Sequence, residues 1–177
     1  MDEIKTGSVN ANHPAFAAAE EAAGRQVQKF LDIQGAMPAD HFHKASGRIL
    51  YDKCGLSRSR AGLEEAIASI RMLRDQFYSE LCVMGGPAMN SELEKAGRVA
   101  DYLEVGELMC YDALTREESC EAHFREEHQT SDGEAIRYDQ DFAFTSAWEW
   151  AGAGQEPIWH KEPLRFDYVT LILGGIP

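Results

Sequence analysis

The run Ser91-Glu92-Leu93-Glu94-Lys95-Ala96-Gly97-Arg98-Val99-Ala100-Asp101-Tyr102-Leu103 decides the fold class. Ser91 with Glu94 three residues on has the spelling of a capping box, in which two side chains satisfy free amides at a helix start. Leu93, Ala96, Ala100 and Leu103, continued by Cys110 and Leu114, recur at the spacing of one helix face. Tyr102, Val105 and Met109 widen that stripe, so a long helix is predicted over residues 91 to about 118. Upstream, Gly85-Gly86-Pro87 makes a turn, and a helix over 59–80 shows Leu63, Ala66, Ile67, Ile70, Leu73 and Phe77 on one face. A short helix before it carries Phe42, Ile49 and Leu50, with Asp40 as its N-cap and Gly55 as its stop. The first helix opens at Pro14, a residue suited to the first turn, and carries Phe16, Ala19, Ala23, Val27, Phe30 and Leu31. Gly35 is placed as its C′ residue, and Pro38 bars continuation.

The three long helices are expected to pack as an up-down-up, spectrin-repeat-like bundle with a short preceding helix, making a mainly α chain. Their apolar stripes are read as core. Beyond Asp132-Gly133 the helical period fades, and strands are predicted over 142–150 and 164–171, joined by a turn at 151–154. The expected organisation is a flexible start over 1–13, the bundle over 14–131, and a β-containing tail over 132–177. Phe142, Phe144, Trp148, Trp150, Trp159 and Phe166 are too apolar for a solvated appendage, so the tail is expected to lie on the bundle or on a neighbouring domain.

With 177 residues the chain can bury a real core, and 44% hydrophobic content argues against disorder. Its 17 Lys+Arg against 30 Asp+Glu give a net charge of −13, which disfavours nucleic acid and anionic membrane surfaces as partners. No stretch approaches the ~20 apolar residues of a membrane span. Met1-Asp2-Glu3-Ile4-Lys5-Thr6-Gly7-Ser8 has neither the basic start nor the apolar middle of a signal peptide. Cys54, Cys82, Cys110 and Cys120 form no C-x-x-C pair and read as reduced thiols, so a cytoplasmic setting is expected.

Few motifs suggest chemistry. His41 and His43 stand two apart on a helix and point about 200° away from each other, which prevents a shared metal ion. Arg58 and Arg60 are placed to hold an anion at a helix start, or else lie in a surface loop. Gly85-Gly86 lacks the strand and helix context of a dinucleotide fingerprint, and there is no G-x-x-x-x-G-K. The dense polar cluster is Arg116-Glu117-Glu118-Ser119-Cys120-Glu121-Ala122-His123-Phe124-Arg125-Glu126-Glu127-His128. It reads as the charged end of a long helix, as a general acid/base set of Glu118, His123 and Arg125, or as a paired network between domains.

This cluster resembles the signature of the C-terminal region of the flavoprotein subunit of succinate dehydrogenase and fumarate reductase. That signature is Arg-x-Glu-Ser, then Arg or Cys, then Gly-x-His-x-Arg-x-acid. Cys120 is similar to the branch that pairs with a single di-haem cytochrome b subunit, and Glu121 stands where the family has Gly, so the local turn is expected to differ. His43-Lys44-Ala45-Ser46-Gly47-Arg48-Ile49-Leu50-Tyr51-Asp52-Lys53-Cys54-Gly55, the stretch from Leu93 to Glu104, Asp112-Ala113-Leu114, Phe142, Trp148 and His160-Lys161-Glu162-Pro163-Leu164 extend the resemblance over about residues 14 to 170.

The resemblance implies a parent that interconverts succinate and fumarate with FAD, a partner iron–sulfur subunit with its clusters, and a membrane cytochrome b subunit with haem reached indirectly. It places the flavin fold and the dicarboxylate-binding residues upstream. No catalytic, cofactor or metal residue is therefore expected here, and this chain alone is expected to be inactive. Arg116, Glu118, Ser119, His123 and Arg125 are expected at an inter-domain or subunit interface. Such a seat implies that Arg125→Ala hardly destabilises the isolated chain. The parent would be peripheral on the cytoplasmic membrane, with no insertion of its own. The alternative reading is a free-standing acidic helical interaction module, and the direction of the parent reaction is not legible in these residues.

Overall fold

The computed structural model describes residues 12–152, 155–165 and 168. Four helices come first: α1 (Pro14–Asp32), α2 (Ala39–Lys53), α3 (Arg60–Glu80) and α4 (Ser91–Thr115). A two-residue strand β1 (Ser57–Arg58) precedes α3, and β2 (Phe124–Arg125) follows α4. The short helix α5 (Asp139–Phe142) then leads into the hairpin strands β3 (Phe144–Glu149) and β4 (Ile158–Pro163).

The bundle is up-down-up, but its first member is the short helix α2 and not α1. Asp40 pairs with Lys95 at one end (3.1 Å) and Cys54 lies against the Met109 carbonyl at the other, so α2 and α4 run parallel. Lys53 meets Glu65 at 2.8 Å, while the Phe42 and Phe77 rings pack edge-to-face at 5.2 Å, so α3 runs against both. All six apolar stripe residues of α3 are buried, as their period requires. Each such side chain contributes about 1.5–3 kcal/mol by leaving water, which makes the α2–α3–α4 seam the main source of stability.

The stripe on α1 behaves differently. Only Phe30 is buried there, edge-on to Phe77 and stacked on Tyr78, while Phe16 and Val27 are exposed. On α4, Tyr102, Val105 and Met109 are exposed as well. The expectation that every apolar stripe is core fails at these two faces. A hydrophobic period shows that a face wants cover without saying which chain supplies it.

Helix ends also differ from their expected spelling. Asn90, not Ser91, caps α4: its side-chain oxygen accepts from the amides of Glu92 and Leu93. Its amide nitrogen donates to the carbonyls of Met84 and Gly86, which ties the preceding turn to the helix start. Asp40 lies in the first turn of α2, whose cap position is Pro38. Ser59, where the third helix is expected to begin, is the N-cap of α3, its hydroxyl accepting from Gly62 N at 3.1 Å.

In the tail, β3 lies within the predicted strand, but its partner is Ile158–Pro163 and not 164–171. Most of 164–171 lies outside the described residues, as do 153–154 in the predicted turn. The observed register sets Trp148 opposite Trp159, whose rings stack at 5.7 Å, and Trp159 donates to the Ser146 hydroxyl. Cross-strand aromatic pairing of this kind outweighs the apolar/polar alternation further along. The hairpin is tied to the bundle by Trp148 Nε1 donating to Asp112 (2.9 Å), and Arg71 reaches Glu156 at 2.7 Å.

Candidate functional site

The polar cluster is not the last turn of a long helix. α4 stops at Thr115, and the chain doubles back so that β2 pairs in parallel with β1, Ser57 opposite Phe124 and Arg58 opposite Arg125. This return places the Arg125 guanidinium under the open end of α4. Its Nη1 donates to the carbonyls of Ala113 (2.9 Å), Leu114 (3.1 Å) and Arg116 (3.3 Å). Those are orphan acceptors carrying the negative end of the helix dipole, and a cation satisfies both needs. Arg125 Nε also donates to Glu127 at 3.1 Å, and the side chain is only 1% exposed.

Ser119 and Glu118 complete the junction. The Ser119 hydroxyl accepts from Arg125 N at 2.8 Å and faces the Arg125 carbonyl at 3.2 Å. Glu118 accepts from Arg116 Nη1 (2.7 Å) and from the Tyr138 amide (2.9 Å), joining the α4 end to the approach of α5. Arg116 also donates to the carbonyls of Phe142 and Phe144 and lies over both rings. Burial raises Glu127, but the Arg60 amide at 2.6 Å and Arg125 outweigh it and hold the carboxyl below its ordinary value. The anion at the start of α3 is thus the chain's own carboxylate.

His123 bridges two elements. Its Nδ1 lies 2.7 Å from Arg58 Nη1 and its Nε2 lies 2.9 Å from the Arg116 carbonyl oxygen. Because Arg58 can only donate, Nδ1 accepts, so the ring is the neutral Nε2–H tautomer. Burial pushes its pKa down from 6.5, and the charges of Arg58, Arg125 and Arg116 press the same way. With the folded value lowered, its contribution to stability is complete above the unfolded value and fades as pH falls through the folded one. His128 is shifted in the same direction, mainly by burial. The thermal midpoint should therefore drop as pH falls below about 6.5, and His123→Gln should flatten part of that slope. An identical slope in the variant would remove His123 from the account.

The turn before β2 carries strain. Cys120 and His123 exchange backbone hydrogen bonds at 2.8 and 2.9 Å, and Glu121 between them has φ of 51°. The turn needs a left-handed residue there, so glutamate occupies a conformation that glycine adopts without cost. Glu121→Gly should raise stability by about 1 kcal/mol, read as a higher denaturation midpoint. A lower midpoint would show that the glutamate side chain compensates the strain.

As an acid/base set the cluster is spent: both His123 ring nitrogens and the carboxylate of Glu118 are engaged within the chain. Arg58 donates to the Gly55 carbonyl and His123, and Arg60 pairs with Glu64 and Glu117, so neither presents a free anion site. His41 and His43 lie instead against the rings of Phe42 and Tyr102. No group of three His, Cys, Asp or Glu that could hold a metal ion occurs among the described residues. Sequence reading missed a second network. Glu107, nearly buried on α4, accepts from Arg71 (2.7 Å) and Arg74 (2.6 Å), and Arg71 runs on to Tyr111 and Glu156. The one available signal was a glutamate one position from a glycine on the helix face toward α3.

Residues 43–173 match the model of a family described as fumarate reductase flavoprotein C-term. The chain belongs to that family. Among solved structures, a mutant of E. coli quinol fumarate reductase FrdA is similar over 92% of this chain and 27% of its own, with TM-score 0.78 and 18% identity. Mycobacterium smegmatis Sdh1 in complex with UQ1 is similar over 84% and 24%, with TM-score 0.71 and 21% identity. At that identity these structures establish the shared fold, and the chain spans about a quarter of their length. A comparison with curated proteins gives no match. The family's polar signature thus closes a helix end in this member: Glu118, Ser119 and Arg125 are buried inside the chain, while Arg116 and His123 keep partial exposure. The family model begins at His43, after α1.

Proposed function

We propose that this chain is the C-terminal helical domain of the flavoprotein subunit of a succinate dehydrogenase or fumarate reductase, supporting domain packing and assembly with an iron–sulfur subunit. The match of the family model over residues 43–173 carries this reading. The parent interconverts succinate and fumarate on FAD held upstream of this chain, and it sits on the cytoplasmic membrane through a cytochrome b partner. In support, no helix of the described residues is long and apolar enough to cross a membrane. The exposed apolar faces at Phe16 and Val27 on α1, and at Tyr102, Val105 and Met109 on α4, suit a domain that is covered in its parent. The interface role of the signature is partly indirect. Glu118, Ser119 and Arg125 fix the loop from within, and Arg116 and His123 present its partly exposed side.

The test is a purified chain supplied with FAD, succinate and an artificial electron acceptor. It should bind no stoichiometric flavin and show no turnover above a blank. When linked to its upstream flavin domain it should appear in a complex with the iron–sulfur subunit. Turnover by the 177-residue chain alone, or a parent whose assembly is indifferent to deleting the chain, would overturn the proposal.

A further inference from the structure

Two thiols stand beside the helix-end network without belonging to it. Cys54 is the C-cap of α2 and is 6% exposed, and Cys110 lies fully buried on α4. Cys54 Sγ lies 3.9 Å from the carbonyl oxygen of Met109, the residue before Cys110, which sets the two thiols side by side between α2 and α4. Cys54 also lines an open groove of about 580 Å³ between α4 and the β3–β4 hairpin, with Arg58, Met109, Asp112 and Trp148 among its walls. The groove reaches Cys54 alone, with Cys110 enclosed behind it, and this asymmetry distinguishes the two from a pair of inert core cysteines.

The surroundings give the two sulfurs different roles. The hydrogen bond from Cys110 holds the Cys54 thiol below its ordinary value; burial opposes this and the Arg58 charge assists it. The same hydrogen bond and burial push Cys110 up, so it keeps its proton. The thiolate is the attacking form.

We propose that Cys54 and Cys110 are a redox-active pair that peroxides reach through the groove beside α4, Cys54 attacking first and Cys110 resolving. Cys54 releases its proton to solvent, its sulfur bonds to one oxygen of hydrogen peroxide, the O–O bond breaks and hydroxide leaves, giving a sulfenic acid. Cys110 then loses its proton to that hydroxide and attacks the Cys54 sulfur. The S–O bond breaks, the hydroxyl leaves and takes up a proton from solvent as water, and a disulfide joins α2 to α4. Overall the two thiols give up two hydrogens and the peroxide becomes two waters.

The full chain is treated with hydrogen peroxide in native buffer, then denatured, alkylated and digested without reductant. The expected product is a cross-linked peptide pair through Cys54 and Cys110, with Cys82 and Cys120 still alkylated. In Cys110→Ala, dimedone should label Cys54 several-fold more than Cys82 or Cys120. A bridge through any other pair, or alkylation of both Cys54 and Cys110 at peroxide doses that oxidise Cys82 or Cys120, overturns the proposal. Dimedone labelling that passes over Cys54 overturns the assigned order.

Discussion

Arg125→Ala is expected to cost about 3 kcal/mol of stability, because it removes one partner from a buried charged network. For a chain of this size that is a fall of roughly 6–12 °C in the thermal midpoint. The side chain is 1% exposed, and its removal strands the carbonyls of Ala113 and Leu114 at the end of α4. Glu127 loses one cation but keeps the Arg60 amide, so its share of the cost is the smaller. Arg125→Lys should recover about half, because an ammonium keeps the charge but cannot spread donors over several carbonyls and a carboxylate. An inter-domain seat read from sequence gives the opposite expectation, a cost of about 0.5 kcal/mol for a solvated residue. Thermal denaturation of the two variants beside the parent chain separates them. A shift within error for Arg125→Ala would mean that water replaces the guanidinium at the helix end.

The contrast between the two expectations shows which information the sequence carries. The stripe from Leu63 to Phe77 is legible because its period of three and four is the geometry of the buried face, and all six of its members are buried. The cluster of Arg116, Glu118, Ser119, His123 and Arg125 is legible as polar and paired. Its partners are not, because they come from distant segments: Arg58 before α3, the carbonyls of α4, and the Tyr138 amide. Carbonyl acceptors in particular leave no mark in a sequence. The end of α4 was misplaced for the same reason, since residues 116–118 have ordinary helix formers and only the returning β2 explains the stop. The exposed face of α1 belongs to a third kind of gap. Its apolar period is real, but among the described residues nothing covers Phe16 and Val27.

Gly35→Ala is expected to destabilise the chain by about 2–3 kcal/mol, the scale of inserting a methyl where backbone must give way. Sequence reading placed Gly35 as the left-handed residue after α1, but α1 ends earlier, at an extended Ile33 cap, and the glycine has another task. It lies where the connector between α1 and α2 crosses the end of α3. A Cβ there would stand 1.9 Å from the Glu80 carbonyl carbon and 2.4 Å from its Cα, both main-chain atoms that cannot rotate aside. The crossing is held by Gly35 N to Leu81 O (3.1 Å), Met37 N to Glu80 O (2.9 Å) and Cys82 N to Met37 O (2.8 Å). Separating the strands loosens these bonds and lifts the fully buried Leu81 away from the core. Gly47→Ala and Gly97→Ala make the same chemical change inside α2 and α4, where nothing lies within 4 Å of the added atom. Those two should stabilise by about 0.5–1 kcal/mol, because alanine loses less backbone freedom in a helix. Urea denaturation of the three variants reads the contrast directly. If Gly35→Ala matched the other two in sign, the close crossing of the connector over Glu80 would be wrong.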